Sequence, residues 1–345
     1  MERRPASSTE ARKSRHLDIC LDEDVASTLD AGFSVVRLRH EALPEMALTE
    51  VNARTSFLGR ELRAPLLVSS MTGGTARAGA INRNLAAAAE RAGIAIGLGS
   101  QRAALEDRAL LETYRVRDVA PHVLLFANIG AVQLNYGVTA ADAKAIVESI
   151  GADGLYLHFN PLQEALQPGG DTNFSGLLEK IAQVVAATTV PVIAKSVGSG
   201  ISVHTARRLL GAGVAAIDVA GAGGTSWARV EGRRAGDSRR ERLAETFAGW
   251  GYPTAEATRA LRKALPGVPL VASGGVRSGI DVAKAVALGA TLCGLAQPLL
   301  EPATRSADAV FEALDDLIAG LRIAMFASGC RALADLPGAL LETAE

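Results

Sequence analysis

From Ala64 onward the sequence repeats one pattern eight times: a short apolar run of strand length, followed by an alanine-rich stretch whose apolar residues recur at helical spacing. Alternating strands and helices favour an α/β fold with a parallel sheet, and eight such units close a barrel. The eight predicted strands are residues 65–70, 94–99, 123–128, 154–159, 191–195, 216–220, 269–273 and 291–296. The repeat therefore predicts a TIM (β/α)8 barrel.

A doubly wound open sheet is the alternative that the same alternation allows. Its dinucleotide-binding fingerprint, G-x-G-x-x-G opening a helix after the first strand, is missing, and the MTGGT segment at 71–75 does not have that spacing. We expect four segments: a disordered tail (1–11), a short N-terminal extension that packs on the barrel (12–63), the barrel (64–335) and a C-terminal tail (336–345). Within the extension, FSVVRLRHEAL (33–43) is a possible strand pair partner.

Composition and charge exclude several classes of protein. Apolar residues make up 48% of the 345 residues and charged residues 21%, as in soluble globular proteins. With a formal net charge of -1 we expect neither a nucleic-acid nor a membrane partner. Cys20, Cys293 and Cys330 are too widely spaced for a zinc or disulfide motif. No secretory signal and no run of about 18 apolar residues is found, so we expect a cytoplasmic protein.

Residues that follow the predicted strands are candidates for one common site, because the reacting groups of a β/α barrel come from the carboxyl ends of its strands. Each of these positions offers a polar atom or a close backbone approach. They include Met71-Thr72-Gly73-Gly74, Ser100-Gln101-Arg102, Asn128, His158-Phe159-Asn160, Lys195, Gly223-Gly224-Thr225, Gly274-Gly275-Val276-Arg277 and Ala296-Gln297.

Two glycine-containing loops, SGGVRSG (273–279) and GLAQP (294–298), follow the seventh and eighth predicted strands. Barrels commonly bind phosphate at these strands, with glycine N–H groups and a helix N-terminus facing the anion. The alternative is that the glycines only form tight turns. Lys195 at the end of strand five favours a charged or electron-rich ligand, because a buried ammonium without a partner is costly.

A second polar cluster, from His158 to Glu164, follows strand four. One carboxylate is too few for a metal cage made by protein alone, but it suits Mg²⁺, which takes one or two carboxylates together with water and phosphate oxygens. Glu164 could equally cap or pair locally on a loop. Arg12, Lys13 and His16 form a basic group that suits a diphosphate and would be equally ordinary in a solvated tail.

The segment 221–253 is the longest between two units, and its RVEGRRAGDSRRER stretch is too charged for a core. A lid over the site and a solvated, partly disordered surface loop are both compatible with this composition.

With these residues assembled, the sequence resembles the type II isopentenyl diphosphate isomerases, FMN-dependent enzymes related to the hydroxy acid oxidase barrels. RKSRH, SSMTGGT, GLGSQR, FANIG, HFNPLQE, AKSVG, GAGGTSW, SGGVRSG and GLAQP are similar to family segments, in the family's order and at similar spacing. Ser196 stands where the family often has an acidic residue, and Phe159 replaces a usual leucine.

The resemblance implies a role for each matching position. FMN would be bound by Met71, Thr72, Gly73, Ser100, Asn128, Lys195, Thr225, Gly275, Val276, Arg277, Ala296 and Gln297. Isopentenyl or dimethylallyl diphosphate would contact Arg12, Lys13, Ser100, Gln101, Arg102, His158, Asn160 and Gln163, with Gln163 as the catalytic positioning residue and Glu164 as the Mg²⁺ ligand. It also implies that FMN must first be reduced, by NADPH or NADH, and that the protein forms a homo-tetramer or homo-octamer.

Moving the double bond of an isopentenyl diphosphate requires an acid that protonates C4 and a base that removes a C2 proton. The predicted site offers no obvious pair: Gln163 does not titrate near neutral pH, Glu164 is expected to bind Mg²⁺, and Cys293 lies within strand eight. The N5 atom of a reduced flavin can carry the proton, and an anionic reduced ring can stabilise positive charge developing on the substrate.

Three other functions are alternatives to a flavin-dependent isomerase. A flavin-dependent hydroxy acid oxidase would place a catalytic histidine after strand six, where this sequence has AGAGGTSW. A dehydrogenase of the inosinate type would place a cysteine on the same loop, which has none. A non-catalytic barrel that binds a phosphate ligand would explain the glycine loops but not the cluster from His158 to Glu164.

Overall fold

Eight parallel strands close into a barrel in the computed structural model, which describes residues 6–341. The barrel strands are β3 (Leu66–Val68), β4 (Ala95–Gly97), β5 (Leu124–Gly130), β6 (Gly154–Phe159), β7 (Val192–Ser196), β8 (Ala216–Asp218), β9 (Leu270–Ser273) and β10 (Leu292–Leu295); they follow a hairpin of β1 (Thr55–Phe57) and β2 (Arg60–Leu62). Cys293 of β10 pairs with Leu66 of β3, which closes the ring. The predicted (β/α)8 barrel is confirmed, and the open sheet is wrong.

Helices lie between successive barrel strands and extend the chain at both ends. They are α1 (Ala6–Asp22), α2 (Ala76–Ala92), α3 (Arg102–Glu106), α4 (Ala140–Ile150), α5 (Pro161–Leu166), α6 (Leu177–Ala187), α7 (Val203–Gly211), α8 (Trp227–Ala235), α9 (Ser238–Glu245), α10 (Thr254–Ala264), α11 (Gly279–Ala287), α12 (Gln297–Arg305) and α13 (Ala307–Ala327). Short 3-10 helices span Leu48–Glu50, Arg108–Tyr114, Ala131–Asn135 and Leu333–Ala339. No described helix combines the length and the apolar character needed to cross a membrane.

Local capping fixes where α11 starts, directly after the predicted phosphate loop. The Ser278 hydroxyl accepts a hydrogen bond from the Asp281 amide at 3.2 Å, and the Asp281 carboxylate accepts one from the Ser278 amide at 3.1 Å. Such a reciprocal cap satisfies amides that the first helical turn leaves free and stabilises a helix by roughly 1 kcal/mol. The cap therefore holds the preceding glycine loop in a defined position at the end of β9.

The amino-terminal end of the barrel is filled by apolar side chains. Phe126, Tyr156 and Ile193 point inward and pack with Phe57 and Leu62 of the β1–β2 hairpin. The Phe57 and Phe126 ring centroids lie 6.1 Å apart in an edge-to-face arrangement. The hairpin is not among the predicted elements, since its strands have only three residues each. It plugs this end, whereas a cavity lies at the opposite, carboxyl end of the strands.

The remainder of the N-terminal extension differs in part from its prediction. Helix α1 begins at Ala6, inside the range 1–11 for which disorder was expected; residues 1–5 lie outside the described residues. The apolar side chains of Leu17 and Ile19 are buried against the body, which explains the order. The stretch 33–43 forms no strand, and its only bridge joins Leu38 to Leu340. Leu336 is fully buried, so the start of the expected tail 336–345 packs on the barrel, while residues 342–345 lie outside the described residues.

The charged segment 221–253 is folded rather than an extended loop. Helices α8 and α9 lie within it and pack on each other, and Val230 of α8 packs against Ile19 and Val25 of the extension. Its arginines form ion pairs, as between Arg229 and Glu245. The segment hence joins α1 as part of one wall at the carboxyl end of the barrel.

We expect substitution Phe57→Ala to destabilise the protein by roughly 3 to 5 kcal/mol, because it removes a fully buried aromatic ring from the barrel plug. Chemical denaturation followed by circular dichroism measures the change. Leu43→Ala is the control, since Leu43 is 75% exposed and its truncation should change stability by less than about 0.5 kcal/mol. Equal effects of the two substitutions would show that the hairpin does not support the core.

Candidate functional site

A cavity of about 260 Å³ opens at the carboxyl ends of the barrel strands. Helix α1 forms one side, and the loops after β8, β9 and β10 form the other. Of the residues predicted for FMN, substrate and metal, those that line it are Arg12, Lys13, Met71, Thr72, Ser100, Arg102, Asn128, His158, Asn160, Gln163, Glu164, Lys195, Thr225, Gly275, Val276, Arg277, Ala296 and Gln297. Residues far apart in sequence are thus brought into one space.

Two predicted residues lie in the wall instead of on the cavity surface. The Gln101 side chain is fully buried, and its Oε1 accepts a hydrogen bond from the Asn128 amide at 2.8 Å. Gly73 lies against the Tyr114 ring, which a Cβ atom at position 73 would approach to 2.0 Å. Both therefore support neighbours that do face the cavity, and neither contributes a side chain to it.

The glycine loops after β8 and β9 pack directly on one another. A Cβ atom on Gly224 would lie 2.8 Å from the Gly275 amide nitrogen, and one on Gly275 would lie 2.5 Å from the Ala31 methyl group. Gly275 also has a φ of 76°, a conformation that favours glycine. Within the described chain, the amides of Gly275 and Val276 donate to no other backbone group. These free donors, beside the N-terminus of α12, can bind a phosphate.

Positive charge accumulates where α1 meets the loop after β4. The Lys13 ammonium donates to the Ser100 carbonyl at 2.8 Å and to the Tyr114 hydroxyl at 2.6 Å. Burial and the nearby charge of Arg12 lower the pKa of Lys13 to about 7. Arg102 pairs with Asp171 at 2.6 Å. The cations thus crowd one another, and an anionic ligand between them would relieve the repulsion.

His158, at the end of β6, is held as a neutral ring. Its Nδ1 lies 2.7 Å from Asn128 Oδ1. Burial, followed by the charges of Lys195 and Lys13, lowers the pKa of His158 to about 3. Because the Asn128 oxygen is an acceptor, Nδ1 carries the hydrogen and Nε2 remains free to accept a hydrogen bond.

Gln163 is held by hydrogen bonds at both ends of its side-chain amide. Its Oε1 accepts from Asn160 at 3.0 Å, and its Nε2 donates to Glu231 Oε1 at 2.9 Å. Glu164 accepts hydrogen bonds from Asn160, from Gln167 and from the Asp171 amide. Burial raises the pKa of Glu164 despite these donors. The amide of Gln163 is therefore fixed in orientation by its partners.

Glu231 on α8 is a buried acid that the sequence analysis did not identify. It is 0% exposed and lies 3.1 Å from His16 Nε2 and 2.7 Å from the Arg234 Nε atom. Burial opposes its ionisation, but contacts with His16, Gln163 and Arg234 outweigh burial and lower the pKa of Glu231 to about 2. In the sequence it is one acid in a basic stretch, and only the approach of α1 makes it interior.

Asp218 is the last residue of β8, and the sequence predicts only a strand at this position. Its carboxylate is 0% exposed and accepts hydrogen bonds from the Ser273 hydroxyl at 2.6 Å and from the Ala220 amide at 3.2 Å. It is the register partner of Lys195 on β7. Asp218 and Lys195 are thus neighbours in the barrel wall, and Lys195 lines the cavity.

The chemistry of the cavity limits the competing readings. His16 and His158 line the cavity. The segment after β8, which is the sixth barrel strand, supplies no histidine and no cysteine. The base of a hydroxy acid oxidase and the nucleophile of an inosinate-type dehydrogenase are both missing from their expected place. Among residues 6–341, no group of three or more His, Cys, Asp or Glu side chains is arranged to hold a metal ion.

Two solved structures with similar folds are a lactate oxidase and a mandelate oxidase. A putative lactate oxidase of Pediococcus acidilactici superposes with a TM-score of 0.68 at 16% identity, covering 100% of this chain and 96% of its own. A mandelate oxidase variant with a monooxide FMN adduct gives a TM-score of 0.65 at 20% identity, with coverage of 98% and 93%. At such identities the likeness shows the fold alone.

Proteins with similar sequences identify the family of this chain more specifically than the solved structures do. Residues 163–343 match the family model described as FMN-dependent dehydrogenase. Proteins named isopentenyl-diphosphate delta-isomerase are 52% identical in Synechococcus sp., over 97% of both chains, and 51% identical in Stutzerimonas stutzeri, over 96% of both. One from Rickettsia rickettsii is 47% identical over 94% of this chain and 95% of its own. This chain therefore belongs to the isopentenyl-diphosphate delta-isomerases of the FMN-dependent barrel type.

Proposed function

We propose that the protein interconverts isopentenyl diphosphate and dimethylallyl diphosphate, adding one proton and removing another, with reduced FMN and Mg²⁺. The observation that carries the proposal is that one cavity is lined by two regions suited to anions, one formed by glycine loops and one by basic side chains. The glycine loops after β8 and β9 suit the FMN phosphate, and the basic group of Arg12, Lys13 and Arg102 suits a diphosphate. A substrate bound at the second region would face a flavin bound at the first.

The residues of the cavity fit FMN. Gly275 and Val276 would bind its phosphate through their free amides, with Arg277, Thr225, Ala296 and Gln297 around them, while Met71, Thr72, Ser100, Asn128 and Lys195 would contact its ring system. When bound in reduced form, FMN supplies an N5 atom that can exchange a proton and an electron-rich ring beside developing positive charge.

The other residues of the cavity would orient the diphosphate and exclude water. Lys13, Arg12 and Arg102 would hold its phosphate oxygens, and the neutral His158 would accept a hydrogen bond at Nε2. Glu231, whose pKa of about 2 keeps it ionised at neutral pH, can accept a proton but has none to donate. Gln163, bonded to Asn160 and Glu231, would keep the reacting carbons in position without titrating itself.

A Mg²⁺ ion bound by Glu164 would complete the substrate site. Glu164 lines the cavity, and one carboxylate together with water and phosphate oxygens suits Mg²⁺. The buried Asn160 Oδ1, which has no hydrogen-bond partner among the described residues, adds a further oxygen at this place.

We also propose NADPH or NADH as the source of electrons, a cytoplasmic location and a homo-tetramer or homo-octamer, following the family resemblance.

Purified protein should be yellow, and it should form dimethylallyl diphosphate only when FMN is reduced. The assay contains FMN, Mg²⁺, isopentenyl diphosphate and NADPH or dithionite under nitrogen, with product detected by mass spectrometry. Omitting reductant in air, or chelating Mg²⁺ with EDTA, should abolish turnover. Equal rates with oxidised FMN would refute the role of reduced flavin, and colourless protein that binds no FMN would refute the whole proposal.

Glu231→Gln should lower kcat by roughly 10- to 100-fold, because it removes the charge that orients Gln163 and His16 in the substrate site. FMN affinity, measured by fluorescence titration, should stay the same. Glu245→Gln is the matched control: Glu245 lies on α9, its side chain is 50% exposed and it pairs with Arg229. A loss of thermal stability without any change in kcat would assign Glu231 a purely structural role.

The apparent affinity for substrate should fall as pH rises through about 7, because Lys13 loses its proton there and with it the charge that attracts diphosphate. The value of kcat/KM should then decrease up to tenfold per pH unit above this value. Lys13→Arg should keep its charge, so the decline near pH 7 should disappear in that variant. Persistence of the same decline in Lys13→Arg would assign it to another group.

A further inference from the structure

The buried carboxylate of Asp218 has no part in the chemistry described above. It lies at the end of β8 with no exposed surface, and burial raises its pKa, while the charge of Lys195 and hydrogen bonds from Ser273, Ala220 and Tyr156 oppose that effect. Leaving a carboxylate oxygen buried in this way is costly unless a nearby positive charge offsets it. Its register partner on β7 is Lys195, which is 92% buried and lines the cavity.

Lys195 lies beside Asp218 in the barrel wall, at the same register position on the neighbouring strand. Its ammonium donates to the Ser196 carbonyl at 2.9 Å, and the two strands place the carboxylate beside it without direct contact. Burial lowers the pKa of Lys195, and the charge of Asp218 is what opposes that effect. The other titratable groups on the neighbouring strand β6 are His158, held neutral, and Tyr156, whose pKa is raised well above its usual value by burial and by Asp218.

Asp218 is also held rigidly in place. Its Oδ1 accepts from Ser273, the last residue of β9, and from the amide of Ala220. Ala220 has a φ of 37°, which is strained for a residue with a side chain. These contacts join the carboxylate to the starts of the two glycine-containing loops that follow β8 and β9.

We propose that Asp218 is a positioning residue for the flavin: it keeps Lys195 protonated in the cavity wall, so that the bound flavin meets a fixed positive charge when it is reduced. The inference rests on the proposed binding of FMN beside Lys195. A fixed cation favours the anionic reduced flavin over the neutral oxidised form. Reduced FMN should therefore bind more tightly than oxidised FMN, and part of this preference should come from Asp218.

The test is the midpoint potential of FMN bound to the whole protein, measured by dye equilibration without substrate. Asp218→Asn keeps the shape and the hydrogen bonds to Ser273 and Ala220 but removes the charge. Lys195 should then be neutral before the flavin is reduced. The affinity for reduced FMN, relative to that for oxidised FMN, should fall at least tenfold. This change corresponds to a midpoint potential that is lower by about 30 mV for a two-electron couple. Reduction should also take up one extra proton, seen as a steeper dependence of the potential on pH.

A double-mutant cycle separates this role from a structural one. Lys195→Met should lower the potential as well, and adding Asp218→Asn to it should cause no further fall, because the residue through which Asp218 acts is gone. A potential that rises in Asp218→Asn, or a fall that persists beside Lys195→Met, would overturn the inference. The measurement needs no turnover: a potential shift in protein that does not isomerise isopentenyl diphosphate would refute the proposed function and leave the role of Asp218 standing.

Discussion

Closure of the barrel, through the pairing of Cys293 on β10 with Leu66 on β3, is the constraint on which the site depends. Once eight parallel strands form a ring, their carboxyl ends surround one space, and side chains from Arg12 to Gln297 meet there. Phe126, Tyr156 and the hairpin residue Phe57 fill the opposite end. The packing that stabilises the core thus fills the amino-terminal end, and the cavity lies at the carboxyl end.

The low polarity of this core then sets the protonation states in the cavity. Burial is the largest influence on the pKa values of Lys13, His158 and Lys195, and in each case it disfavours the cation. Glu231 is the opposite case, since three polar partners keep it ionised against burial. The site therefore combines a neutral imidazole with an ionised carboxylate, and neither is suited to donate a proton to a carbon atom at neutral pH.

Sequence patterns predicted what is local and missed what depends on packing between distant segments. The strands follow from apolar runs, and the loop around Gly275 follows from turn chemistry, so both could be recognised. Glu231 and Asp218 become interior only when α1 and β7 pack against them, and the β1–β2 hairpin is too short to leave a periodic pattern. Gln101 shows a different limit: its position beside a strand end was clear, but the direction of its side chain was not.

The cavity is lined by two kinds of element, the barrel strands with their loops and the helices packed on the barrel. The eight strands and the loops after β8, β9 and β10 build the half that fits FMN, and these belong to the barrel itself. The remaining lining comes partly from barrel units, which carry Arg102, His158 and Glu164, and partly from α1, which brings Arg12 and Lys13, while Glu231 of α8 contacts Gln163. Because Ile19 of α1 and Val230 of α8 pack together, these two helices are held to each other, and the side chains that they carry reach the site as one unit beside the barrel.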